Sequence, residues 1–260
     1  MKKQFRRWAF RFTATILFMA LLLVVIILNP AFSYANKTKH THFTIFHNQP
    51  LDPAFISHLD QAAKLVSTSE YYDPHWKLDI CLHDGSIYPA LIQKIWSRAF
   101  GRGFYNKVVV MEETSYTGNW VALNGYKWNL EQLLAHEMMH CFQFHKRGLW
   151  KSKPIAAIPD WKWEGYAEYI ARQQGDQTDL VQNIDRLIRV EKTAHNGWIT
   201  FADGSGTIIL YYRYWLLVQY CMNVKKMSYD AVIDEAMPQE TMWQQMMDWY
   251  GKQKGIKQPD

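Results

Sequence analysis

Leu130-Glu131-Gln132-Leu133-Leu134-Ala135-His136-Glu137-Met138-Met139-His140-Cys141-Phe142-Gln143-Phe144-His145-Lys146-Arg147 says more about the architecture than any other segment of the chain. Its histidines at 136 and 140 are four residues apart, and on a helix that spacing sets side chains one turn above each other on one face. Asn129 stands three residues before Gln132 in the manner of a capping box, and Gly148 follows Lys146 and Arg147, an ordinary helix stop. The spacing therefore predicts a helix over about 130–147. Leu134, Met138 and Cys141, at i, i+4 and i+7, would form its core face and leave both imidazoles pointing into a cleft. Two imidazoles on one face can share an ion, and three protein ligands with one open position make a catalytic zinc site. Glu137 would lie beside the open position as a base for water.

Moving outward, Trp161-Lys162-Trp163-Glu164-Gly165-Tyr166-Ala167-Glu168-Tyr169 places two more carboxylates one helical turn apart, embedded in aromatic residues that cannot solvate them. Buried acids in pairs invite a cation. The expected third ligand to Zn²⁺ is Glu164. Glu168 is expected to accept the ring N–H of a ligating histidine and so set its tautomer and orientation.

The H-E-x-x-H helix, the W-x-x-E-G-x-A-E-Y segment some two dozen residues later and a Tyr-rich helix beyond resemble the gluzincin metallopeptidases, in the branch with short peptidase MA-like domains. The resemblance covers roughly residues 100–225. It implies that His136, His140 and Glu164 bind zinc, that Glu137 is the general base and that Glu168 is the acidic partner behind a ligand. Leu210-Tyr211-Tyr212-Arg213-Tyr214-Trp215 is similar to the helix that presents a tyrosine to the transition state in that family, with Tyr211 the first choice and Tyr212 the second. It also implies that the strand at Val108-Val109-Val110-Met111 is an edge to which an extended peptide adds its backbone. At 260 residues the chain is far shorter than the large aminopeptidases, and it shows no motif that would hold a substrate's free α-amino group.

The amino terminus speaks to compartment. Lys2, Lys3, Arg6, Arg7 and Arg11 precede an uncharged run from Phe12 to Leu28, the positive-inside arrangement, so residues 1–35 read as a signal peptide or a signal-anchor transmembrane segment. The long run and Trp8 at its edge favour retention; Ser33-Tyr34-Ala35 after Asn29-Pro30 favours cleavage. Either way the rest is expected to be extracytoplasmic, membrane-anchored or secreted. Of the 29 Lys and Arg, five fall in the first eleven residues, so the remaining 24 balance the 24 Asp and Glu. The basic pI thus reflects topology, and no basic patch with interleaved aromatics points to nucleic acid. Three cysteines, Cys81, Cys141 and Cys221, allow at most one bridge and lack the spacing of a thiolate metal site.

Residues 36–260 are long enough for one domain with a sizeable core. Residues 36–52 read as a polar stalk running into a strand at Phe43–Phe46. Asp52-Pro53 opens a helix to about Ser67, Trp76–Leu82 alternates as a strand, and Tyr88–Phe100 suits a helix. From Trp128 onward the chain reads as helical, with Ala202–Gly206 a glycine-rich connector. Strands first and helices after indicate an α+β, zincin-like domain: a small N-terminal sheet with helices, then a mostly helical C-terminal part. The expected activity is hydrolysis of a peptide or protein substrate by a zinc-held water activated by Glu137. An inactive zincin-like binding module and a zinc hydrolase of a non-peptide amide or ester use the same residues and stay open.

Overall fold

In the computed structural model, which describes residues 2–193 and 197–255, the alternation of side chains along the early strands sorts the molecule into two faces. Five strands, β1 (Asn36–His40), β2 (Phe43–His47), β3 (Leu78–Cys81), β4 (Gly101–Phe104) and β5 (Lys107–Val110), form one sheet in the order β1-β2-β3-β5-β4. β2, β3 and β5 run parallel, and the two edges, β1 and β4, are antiparallel. Successive strand residues point to opposite sides. Phe43, Ile45, Leu78, Ile80, Val108 and Val110 join the main core, where helices α2 (Pro53–Val66) and α4 (Leu130–Arg147) pack. Phe46, Cys81 and Val109 form a second core with Tyr88 and Ile92 of α3 (Ile87–Trp96).

The helix signals act as read. Asp52 Oδ1 accepts from the Ala54 N–H at 2.8 Å to start α2, and Asn129 Oδ1 accepts from the Gln132 N–H at 3.1 Å to start α4. Gly148 ends α4 at φ 75°, a conformation that costs a glycine little. A three-stranded sheet, β6 (Glu113–Ser115), β7 (Trp120–Leu123) and β8 (Tyr126–Asn129), leads into α4. Helices α5 (Asp160–Ala171) and α7 (Ile209–Gln219) pack against each other and α5 packs on α4; α6 (Leu180–Thr193), α8 (Tyr229–Asp234) and α9 (Gln239–Gln253) complete the helical part. The architecture is α+β, with helices and small sheets.

Three expectations are corrected. Residues 36–40 are not part of a stalk: they form β1, paired with β2 from Asn36 opposite His47 to His40 opposite Phe43. The strand at 108–111 is not an edge, because β5 lies between β3 and β4; the edge beside α4 is β4. The C-terminal part is not wholly helical either: β9 (Trp198–Thr200) and β10 (Gly206–Ile208) pair, and residues 201–205 make their turn. The three cysteines are buried and unbridged.

Candidate metal centre

α4 brings His136 and His140 to one face, and α5 brings Glu164 against them. His136 Nε2 and His140 Nε2 are 3.1 Å apart, and Glu164 Oε2 lies 3.3 Å from the first and 3.2 Å from the second. Donor atoms held tetrahedrally by one ion at about 2.0–2.1 Å stand about 3.3 Å from each other, so these three fit the ligand set of a single metal. Glu137 borders them: one ligand atom each from His136, Glu137 and His140 lie within 4.8 Å of one another. This largely buried group can hold a metal ion.

What lies behind the donors sets their chemistry. Gln143 donates through Nε2 to the carbonyl of Trp163 at 2.9 Å and to the Tyr229 hydroxyl at 2.7 Å, which leaves its Oε1 facing His140 Nδ1 at 2.8 Å. His140 therefore carries its proton on Nδ1 and presents the Nε2 lone pair to the site. On His136, Nδ1 faces Glu168 Oε1 at 3.2 Å in a bent ion-pair contact. Glu168 is held in turn by Arg172, whose Nε donates to Oε2 at 2.5 Å, both side chains fully buried. Arg172 also donates to Gln132 Oε1 at 2.8 Å, tying α5 back to α4.

Charge gives a second test of fit. Glu137, Glu164 and Glu168 bring three carboxylates to the site, of which only Glu168 is paired with a guanidinium, that of Arg172, so the site suits a divalent cation. The field already favours a cation at this point. Burial works against a charge on His136, yet Glu164, Glu168 and Glu137 outweigh it and push the pKa up to about 10. Burial likewise opposes ionisation of Glu164, but His140 and His136 hold it well below the usual carboxylate range. A proton and a metal would compete for the same place.

Two glycines let the elements approach. A Cβ on Gly103 would collide with the Glu137 carbonyl, so β4 can lie directly on α4, and the Gly103 N–H donates to Glu137 Oε2 at 2.5 Å. A Cβ on Gly165 would likewise strike the Tyr214 carbonyl, so the glycine between the two glutamates is what seats α5 on α7.

Of the two tyrosines singled out, the structure brings one to the site. Tyr211 lies parallel to the His136 ring, centroids 6.2 Å apart, and its hydroxyl pKa is pushed up by burial and then by Glu164, Glu137 and Glu168. Tyr212 turns the other way: its hydroxyl donates to the Asn183 carbonyl at 3.0 Å and its ring packs edge-on against Trp215, so it belongs to the core. One step along a helix rotates a side chain by about 100°, which separates neighbours this sharply. Sequence reasoning missed Gln143 and Arg172, although both carried a signal, lying three residues after His140 and four after Glu168. Trp128, edge-on to His136 at 5.6 Å, and Trp163, stacked on His140 at 6.0 Å, are set by packing.

No protein-family model matches this chain, and no curated protein or solved structure is detectably similar to it.

Proposed function

We propose that this chain is a zinc-dependent metallopeptidase of the gluzincin kind, cutting peptide bonds on the extracytoplasmic side of a membrane. The observation that carries the reading is the triangle of His136 Nε2, His140 Nε2 and Glu164 Oε2, with edges of 3.1–3.3 Å and Glu137 beside it. A bound zinc ion would supply Lewis acidity toward the scissile carbonyl and lower the pKa of an attacking water.

The remaining work falls to the chain itself. Glu137 takes the proton of the attacking water and delivers it to the leaving amine. Its contact with the Gly103 N–H orients the carboxylate from the edge strand. Tyr211, held protonated by burial and by the surrounding carboxylates, donates a hydrogen bond through its hydroxyl to the oxyanion as charge develops there and keeps its proton. β4, last in the strand order, offers backbone groups other than the Gly103 N–H to a substrate added as a further strand.

The test is Glu137→Gln. Peptide-library hydrolysis at neutral pH should disappear while metal content, measured by elemental analysis, stays at about one ion per chain, as ligation by His136, His140 and Glu164 requires. Wild-type turnover by that variant would sink the mechanism. Chelator-sensitive cleavage of non-peptide amides or esters alone would keep the centre and replace the substrate.

A further inference from the structure

The second core of the molecule contains part of what precedes the domain. α1 (Lys2–Leu28) is long and apolar enough to cross a membrane, with mean hydropathy 2.6 over its most apolar window and none of that window buried. Its last turn and the short 3-10 turn after it do not hang loose. The Tyr88 hydroxyl donates to the Ile27 carbonyl at 2.5 Å, Ser86 Oγ to the Ser33 carbonyl at 2.7 Å, and the Tyr34 hydroxyl to the Leu82 carbonyl at 2.9 Å. Pro30 is buried, Ile27 and Tyr34 pack on the second core, and Tyr34 lies between Phe46 and Tyr88 at ring distances of 5.9 and 6.1 Å. A cut after Ala35 would remove those side chains from a core that uses them.

α3, the helix these bonds reach, is apolar on both sides. Tyr88, Pro89 and Ile92 face inward, while Ile87, Ala90 and Ile95 are exposed at i, i+3 and i+8, with Lys94 among them. Ile87 is 73% exposed, and Phe32, on the adjoining turn, is 72% exposed. An apolar stripe with a lysine beside it suits the boundary between headgroups and acyl chains, where the lysine reaches into the polar layer.

We propose that α1 is retained as an anchor and that the outer face of α3, with Phe32, lies on the bilayer that α1 enters, so that the domain is seated on the membrane in one orientation. The occupant is lipid because the patch begins where a membrane-length apolar helix leaves the domain, with Tyr88 of α3 bonded to the last turn of α1 and Ser86, the cap of α3, bonded to the turn that follows. The orientation follows from the sheet. α3 covers the side bearing Phe46, Cys81 and Val109, and α4 covers the opposite side, so the metal centre faces away from the lipid. It would meet chains in the aqueous layer and not embedded ones. The proposal stands whatever reaction the metal centre performs.

The test uses the full chain in phosphatidylcholine/phosphatidylglycerol vesicles, with Ile87→Cys, Ile95→Cys or Gln244→Cys carrying an environment-sensitive fluorophore. Cys81, Cys141 and Cys221 are fully buried and should not take the label. Brominated acyl chains should quench the labels at 87 and 95 several-fold more than the label at exposed position 244 on α9, and aqueous iodide should show the reverse. Equal quenching at all three positions would overturn the proposal. So would energy transfer between copies labelled at 87 without lipid quenching, which would mark a contact between two chains. A mature amino terminus at Asn36 would overturn it as well.

Discussion

The two faces of the five-stranded sheet are built from alternate residues of the same strands, yet they have opposite characters. On the α4 side, imidazoles, carboxylates and a guanidinium are buried together, and His136, His140, Glu164, Glu168 and Arg172 are paired with one another. On the α3 side, contact is apolar and aromatic, and the outermost layer leaves Ile87 and Ile95 uncovered. A buried ionic face tolerates little change, because each charge depends on its neighbour, while an apolar face is tied down by contacts that can be lost one at a time.

Removing one member of the ionic face should have the largest effect. Glu168→Ala leaves Arg172 and His136 without their shared carboxylate. Metal-free protein should lose about 3–5 kcal/mol in a denaturant titration, and metal affinity should fall by about 10- to 100-fold. A loss below 1 kcal/mol would mean that the charges of this face do not depend on one another.

The next contrast lies within a single turn of α7. Tyr211→Phe should lower kcat by about 10²–10³-fold with little change in stability, as for removal of one oxyanion donor. Tyr212→Phe should leave kcat unchanged and cost about 1 kcal/mol from its bond to Asn183. Equal effects on kcat would remove the assignment of Tyr211.

Proton linkage separates the faces again. In chelated protein, the raised pKa of His136 contributes stability that is fully present below the ordinary imidazole value of 6.5 and is lost as pH rises toward about 10. The lowered pKa values of Glu164 and Glu168 contribute stability present above 4.5 and lost as pH falls through their lower folded values. Thermal melts should therefore peak between pH 4.5 and 6.5 without metal and decline toward pH 10. A maximum near pH 9 would contradict the pairing of His136 with these carboxylates.

On the other face a single loss should be mild. Tyr88→Phe removes only the bond to the Ile27 carbonyl and should cost about 1 kcal/mol, with kcat and metal content unchanged. A large fall in activity would show that the two faces are coupled through the sheet.

The parts governed by local geometry are legible in the amino-acid order alone. Helical periodicity pairs His136 with His140 and Glu164 with Glu168, and Asn129 and Gly148 bound α4 through hydrogen bonds and dihedral angles spanning a few residues. The same rule, carried further, reaches Gln143 and Arg172. Packing sets the rest: which tyrosine turns to the site, that β4 and not the strand at 108–111 is the edge, that residues 36–40 pair as a strand, and how close α5 comes to α4. Those facts depend on how elements far apart in the chain pack against one another, at glycines such as Gly103 and Gly165, and helical or strand periodicity carries no information about the distance between two elements.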